Sequence, residues 1–221
     1  MWLRVWKTLG TPLSDATEER TWRKMLHRAL NVRNRHPGAD HACRNAHCRQ
    51  IESQLHLIRC VYITPFWTAI MDFIRIVLSL DIRRFSPERA LIFGLRDASG
   101  EFLPPTVRAV IRHAWGHMYR HFTMVETDSK MFNANVALLH TLTSFRDAAL
   151  RHCMIIRHAE ARVKYSKRPV RMPKASDVKS LIATTEDDDG NVSLQLDKTG
   201  CPTLHPAFAS AIIRAQHAAR T

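Results

Sequence analysis

Acidic residues are in short supply. The chain has 20 Asp and Glu against 33 Lys and Arg, a net charge of +13 and a sequence pI near 10.2. That imbalance excludes a self-neutralising surface and implies an anionic partner, nucleic acid or an acidic membrane face. Glycine is scarce too, with seven among 221 residues, and no glycine-rich phosphate loop occurs. Long apolar runs are missing. The longest, residues 66–80, is broken by Asp72 and Arg75; it is too short and too charged to span a bilayer, and reads as a buried helix. No apolar signal segment follows Met1, and five cysteines is an odd count. A secreted, disulfide-framed protein is therefore not expected, and a reducing compartment, nuclear or cytoplasmic, is.

The common catalytic patterns are also absent. There is no nucleophile elbow and no HExxH, and no Asp-Asp pair sits on a hydrophobic strand hairpin where two magnesium ions could bind. The acidic run Glu186-Asp187-Asp188-Asp189 falls in an expected turn and reads as a solvated loop. No enzyme is expected.

What is present is concentrated near the amino end. Residues 43–60 read CRNAHCRQIESQLHLIRC and hold three of the five cysteines. Cys43, Cys48, His56 and Cys60 supply three thiolates and an imidazole, the Cys3His set of a structural zinc site. His56 and Cys60 are four apart, so one helical face presents both, with Cys43 and Cys48 closing from a loop. His47 is an alternative ligand in place of either loop cysteine, and packing as ordinary buried thiols is the bland alternative. Arg44, Asn45, Arg49 and Gln50 weigh against the latter, since they make a poor core segment.

Positive charge clusters around the same stretch. Residues 20–60 carry nine basic side chains, Arg20, Arg23, Lys24, Arg28, Arg33, Arg35, Arg44, Arg49 and Arg59, against Asp40 and Glu52. Residues 151–174 carry eight more against Glu160 alone. The first group is the candidate for phosphate contact with RNA or DNA.

Periodicity predicts a mainly α fold: a helical bundle with a zinc knuckle-like amino-terminal region and a small tail containing a β-hairpin and a helix. Asp15 and Glu18 form a capping box before a helix whose stripe is Trp22, Met25, Leu26, Ala29 and Leu30. Thr64-Pro65 and Pro104-Pro105 each open a helix, and Ser86-Pro87-Glu88 opens a short one ending near Gly94, before a turn at 97–100. The second of these carries His113, His117 and His121, four apart, along the border of its apolar stripe. A metal or catalytic role for that row is a rival to ordinary hydrogen bonding. Residues 132–165 read as one long helix with a seam of Leu138, Leu142, Phe145, Ala149, Ile156, Ala159 and Val163, facing this chain or a partner. Cys201 and His205 have a ligand-like gap but no second pair. Expected boundaries are 1–82, 83–166, and a basic linker with a poorly ordered tail over 167–221.

One stretch resembles a known family. Residues 22–33, WRKMLHRALNVR, look like the helix leading into the zinc-binding region of non-LTR retrotransposon reverse transcriptases. That family continues with a Cys pair, Glu-Ser or Glu-Thr, His-Leu, a third Cys, and a Trp seven residues on. Here stand Cys43 and Cys48, Glu52-Ser53, His56-Leu57, Cys60 and Trp67. The similarity covers residues 2–80. It departs in the four residues between the first cysteines, and in a His-to-Cys gap of three where the family has four. The resemblance implies a zinc-bearing piece that binds template RNA or target DNA and lies downstream of a reverse transcriptase domain not contained in this sequence. The rival is a helical protein–protein scaffold without metal.

Overall fold

A computed structural model describes residues 13, 16–27, 30–38, 40–45, 47–82, 103–128, 131–163, 180–189 and 192–221. The described part is mainly helical, as the periodicity predicts. In chain order it holds α1 (Ala16–Leu26), a 3-10 turn (Arg33–Arg35), α2 (His56–Arg59), α3 (Thr64–Val77), α4 (Pro105–Asp128), α5 (Ala134–Val163), β1 (Thr184–Glu186), β2 (Val192–Leu194) and α6 (Pro206–Arg220). The expected helix near 86–94, its following turn, the lead segment with Trp2 and Trp6, and the basic linker lie outside the described residues.

Each helix follows from local chemistry. In α1, Trp22 and Met25 are buried while Arg20, Arg23 and Lys24 stay exposed, an amphipathic division that favours one docking face. Pro65 begins α3 at a position whose N–H has no helical partner to lose. The helix then buries Phe66, Trp67, Ile70, Phe73, Ile74 and Val77. It stops at Ser79, whose φ of 54° is left-handed, with the N–H groups of Leu78 and Leu80 both donating to the Ile74 carbonyl.

The core is aromatic and shared. Trp115 of α4 packs against Trp67 of α3, ring centroids 5.1 Å apart. Phe208 of α6 meets Phe73 at 5.3 Å and Phe145 of α5 at 5.8 Å. Leu142, Phe145, Ala149 and Ile156 of the expected α5 seam are buried within the chain. Asn135 near the start of α5 donates to the Ala218 carbonyl at 2.8 Å, and Arg157 near its end donates to the Gly200 carbonyl. Those two bonds set α6 antiparallel to α5.

The hairpin forms where expected, with Thr184 opposite Leu194 and Glu186 opposite Val192. Bridges between Ile182 and Leu204 and between Leu196 and Pro202 extend its pairing. Over the described residues 180–189 and 192–221, the carboxy-terminal segment carries this hairpin and then α6. Leu181, Ile182 and Phe208 are fully buried, and three apolar side chains anchored in a common core outweigh the ordering cost of a short segment. Among the described residues, no helix is long and apolar enough to cross a membrane.

Candidate metal centre

The loop carrying Cys43 and Cys48 is closed by its own backbone. Cys43 N–H donates to the Gln50 carbonyl at 2.9 Å, Glu52 N–H to that of His41 at 2.8 Å, and Cys48 N–H to that of Asn45 at 2.8 Å. Ser53 Oγ then accepts the His56 N–H at 3.1 Å, which starts α2 and sets His56 in its first turn. Cys60 caps that turn, its N–H donating to the His56 carbonyl at 2.7 Å. Loop and turn together place both halves of the ligand set on one point.

Ligand atoms of Cys43, Cys48, His56 and Cys60 all lie within 4.8 Å of one another. Sγ of Cys60 is 4.0 Å from Sγ of Cys43 and 3.9 Å from Sγ of Cys48, and Cys48 Sγ is 3.4 Å from Nε2 of His56. The three cysteines are buried and His56 is half-buried. All three thiols are free, and sulfurs about 4 Å apart are far outside disulfide bonding, near 2 Å. Four soft donors meeting at one buried point could hold a metal ion. His47 is exposed and is not among the four.

The protein prepares one of these thiols for ionisation. Cys60 is pushed well below the usual thiol range, first by the hydrogen bond from Cys43 and then, against the effect of burial, by His56 and the Tyr62 N–H. Cys43 is pushed up, by that same bond and by burial.

Around this point the polar residues that look unsuited to a core are buried. Glu52 is fully buried. Its carboxylate accepts the N–H of Arg33 at 3.0 Å and of Arg44 at 3.0 Å, and pairs with Arg44 Nε at 3.4 Å. Arg44 donates to the Asn31 carbonyl at 3.1 Å and lies 5.5 Å over the Phe122 ring. Tyr119 Oη both accepts the Asn31 N–H and donates to the Asn31 carbonyl. Gln54 reaches the Met25 carbonyl in α1, and the Trp67 indole N–H donates to the Leu57 carbonyl at 3.0 Å. The site is thus bolted to α1, α3 and α4. Sequence reasoning missed these roles, and the buried pairing of Glu52 with Arg44 has no periodic signature.

The nine basic candidates divide. Arg20, Arg23, Lys24, Arg35, Arg49 and Arg59 are exposed, Arg23 being 3.6 Å from Glu19. Arg33 is half-buried and donates to the Ala42 carbonyl at 3.1 Å. Arg44 turns inward, its side chain 6% exposed, so it braces the loop instead of facing solvent. Arg28 lies outside the described residues.

The histidine row on α4 meets different partners along its length. His113 is buried, bonded to Ser144 Oγ at 3.1 Å and to the Leu13 carbonyl at 2.6 Å. His121 instead pairs with His140 of α5 at 2.8 Å. His205 caps α6, its Nδ1 accepting the Ala207 N–H, and Cys201 is exposed. No protein-family profile, curated protein or solved structure matches the chain.

Proposed function

We propose that the chain is a zinc-stabilised nucleic-acid-binding module of the kind found downstream of the polymerase in non-LTR retrotransposon reverse transcriptases. One observation carries the metal half of this reading. A tetrahedron built on Zn–S near 2.3 Å and Zn–N near 2.0–2.1 Å has edges of about 3.8 Å between sulfurs and about 3.6 Å between sulfur and nitrogen. The sulfur pairs at 4.0 and 3.9 Å and the Cys48–His56 pair at 3.4 Å match those edges closely. Three thiolates favour zinc over magnesium or calcium, which take oxygen ligands.

The resemblance gains support from the tasks of its residues. Glu52 gathers the Arg33 and Arg44 amides, Ser53 starts the ligand-bearing turn, Leu57 is buried, and Trp67 holds the Leu57 carbonyl. The zinc supplies cross-linking of loop to helix and no chemistry, and the reading assigns the chain no catalysis. The partner is RNA or DNA, reached through phosphates by the exposed basic residues on α1 and around the site. The rival scaffold reading needs an open helical seam, and Leu142, Phe145, Ala149 and Ile156 of α5 are already buried within the chain.

Elemental analysis of the purified chain, joined to RNA and DNA binding across a salt titration, tests both halves. One zinc per chain and affinity that falls with salt are expected. A Cys60→Ser protein that keeps full metal content would count against the metal site. Binding indifferent to salt would remove the nucleic-acid half.

A further inference from the structure

Asn45 stands two residues after Cys43 and is fully buried. Its side-chain amide is used at both ends. Nδ2 lies 3.8 Å from Sγ of Cys43 and 3.7 Å from Sγ of Cys60, while Oδ1 accepts the N–H of Phe132 at 3.1 Å. Only one orientation serves: a backbone N–H needs the carbonyl oxygen, which leaves the two N–H donors for the sulfurs. Phe132 is itself buried and stands edge-on to Phe66, ring centroids 6.2 Å apart. It lies two residues before α5 begins. A single side chain therefore joins two ligand sulfurs to the entry of the longest helix, 87 residues further along the chain.

We infer that Asn45 is a positioning residue of the metal centre, and that through it metal occupancy is passed to the start of α5. The inference rests on the metal-binding reading above. When an ion holds Cys43 and Cys60 as thiolates, both Nδ2 hydrogens face charged acceptors, and bonds to charged acceptors are the stronger kind. Neutral thiols are weaker acceptors than metal-bound thiolates. Without the ion the amide is held less firmly, and the Phe132 N–H opens to solvent more often. Groups of this type orient ligands, tune their charge and set metal affinity.

Asn45→Asp separates the two jobs. It keeps size and the Oδ1 acceptor for Phe132, but turns a carboxylate oxygen toward the sulfurs; Asn45→Ala removes all three bonds. Three measurements on the full chain apply: zinc affinity by competition with a chromophoric chelator, the thiolate-to-metal charge-transfer band with cobalt(II) in place of zinc, and hydrogen exchange at the Phe132 amide. N45D is expected to bind zinc about 10–100-fold more weakly, with its cobalt band at lower energy because the sulfurs have lost their donors. In the wild type, zinc is expected to slow exchange at Phe132. An N45D protein with wild-type affinity and an unmoved band overturns the inference while the metal site stands. So does Phe132 exchange indifferent to zinc, a comparison that needs no variant to fold. A wild-type chain that takes up neither zinc nor cobalt overturns the metal reading, and this inference with it.

Discussion

Glu52→Gln removes one charge from the interior and leaves its partner behind. Arg44 is 6% exposed in its side chain and Glu52 0%, so water cannot screen the change. Breaking a buried ion pair on one side costs about 3–5 kcal/mol, because the remaining charge has lost its compensation. Two features of the site pull in opposite directions from there. Arg44 keeps the Asn31 carbonyl and the Phe122 ring, which favours the low end of that range. The carboxylate also accepts the Arg33 and Arg44 N–H groups on separate oxygens, each at 3.0 Å. A glutamine can serve only one, and turns its NH2 against the other, which adds about 1 kcal/mol or more. The expected loss is about 4 kcal/mol in urea unfolding with zinc present. A second substitution checks the cause. Arg44→Met removes the stranded charge while keeping most of the side-chain volume, and R44M/E52Q should regain about 2 kcal/mol over E52Q alone. An E52Q protein within 1 kcal/mol of wild type, or a double variant no better than E52Q, would refute the reasoning.

Trp67→Phe deletes the indole donor to Leu57 and part of a side chain packed between Phe66 and Trp115; about 2–3 kcal/mol should be lost in denaturant unfolding. Chelation should lower Tm by an amount that grows with the zinc concentration beforehand, about 4 kcal/mol at a thousandfold excess over Kd. Circular dichroism should meanwhile retain most helicity, because the Phe73–Phe145–Phe208 packing does not involve the ligands. His121 is pushed below its ordinary value by burial, then by His140 and Arg120, with the His117 ring also facing His140. A histidine depressed in the folded state contributes stability that is present above its unfolded value, near 6.5, and is lost as pH falls through its folded value. Stability should therefore drop on acidification below about pH 6.5, by no more than one proton's worth, about 1.4 kcal/mol per pH unit. His121→Gln should flatten that slope in urea titrations from pH 7 to 5.

Much of this architecture is legible before any coordinates. Apolar residues at three- and four-residue spacing mark α1, α3, α4 and α5, and Thr64-Pro65 marks where α3 begins. The cysteine and histidine spacing in 43–60 marks the four atoms that come together, because ligand geometry constrains sequence separation directly. What escapes is the polar interior. Asn45, Arg44 and Glu52 sit in a segment whose composition reads as solvent-facing, and they are buried because the chain turns them onto sulfurs, onto Phe122 and onto backbone amides 8 and 19 residues distant from Glu52. No local period encodes such partners. The same limit applies to the histidine row: spacing puts His113 and His121 on one helix face, but only the approach of α5 decides that one meets Ser144 and the other His140. Phe208 likewise gives no local sign of its partners, because Phe73 and Phe145, the rings it packs against, stand far away in sequence.

That inward turn of Arg44 separates fold from binding in a measurable way. Nine basic residues between 20 and 60 look equivalent as charge, and each phosphate they neutralise on duplex DNA steepens the dependence of log affinity on log salt by about 0.9. Arg35, Arg49 and Arg59 are exposed close to the site, so an R35Q/R49Q/R59Q protein should bind with a slope shallower by about 3. Its unfolding midpoint should hardly move, because substitutions at such surface positions usually stay within about 0.5 kcal/mol each. Arg44→Met should do the reverse. Its guanidinium is already ion-paired with Glu52 and donates to the Asn31 carbonyl, so the salt slope should stay put while stability and metal affinity fall. If R44M were instead to flatten the slope by about 1 at unchanged stability, Arg44 would be a phosphate ligand. The bracing of the metal loop would then have to come from Glu52 and the backbone alone.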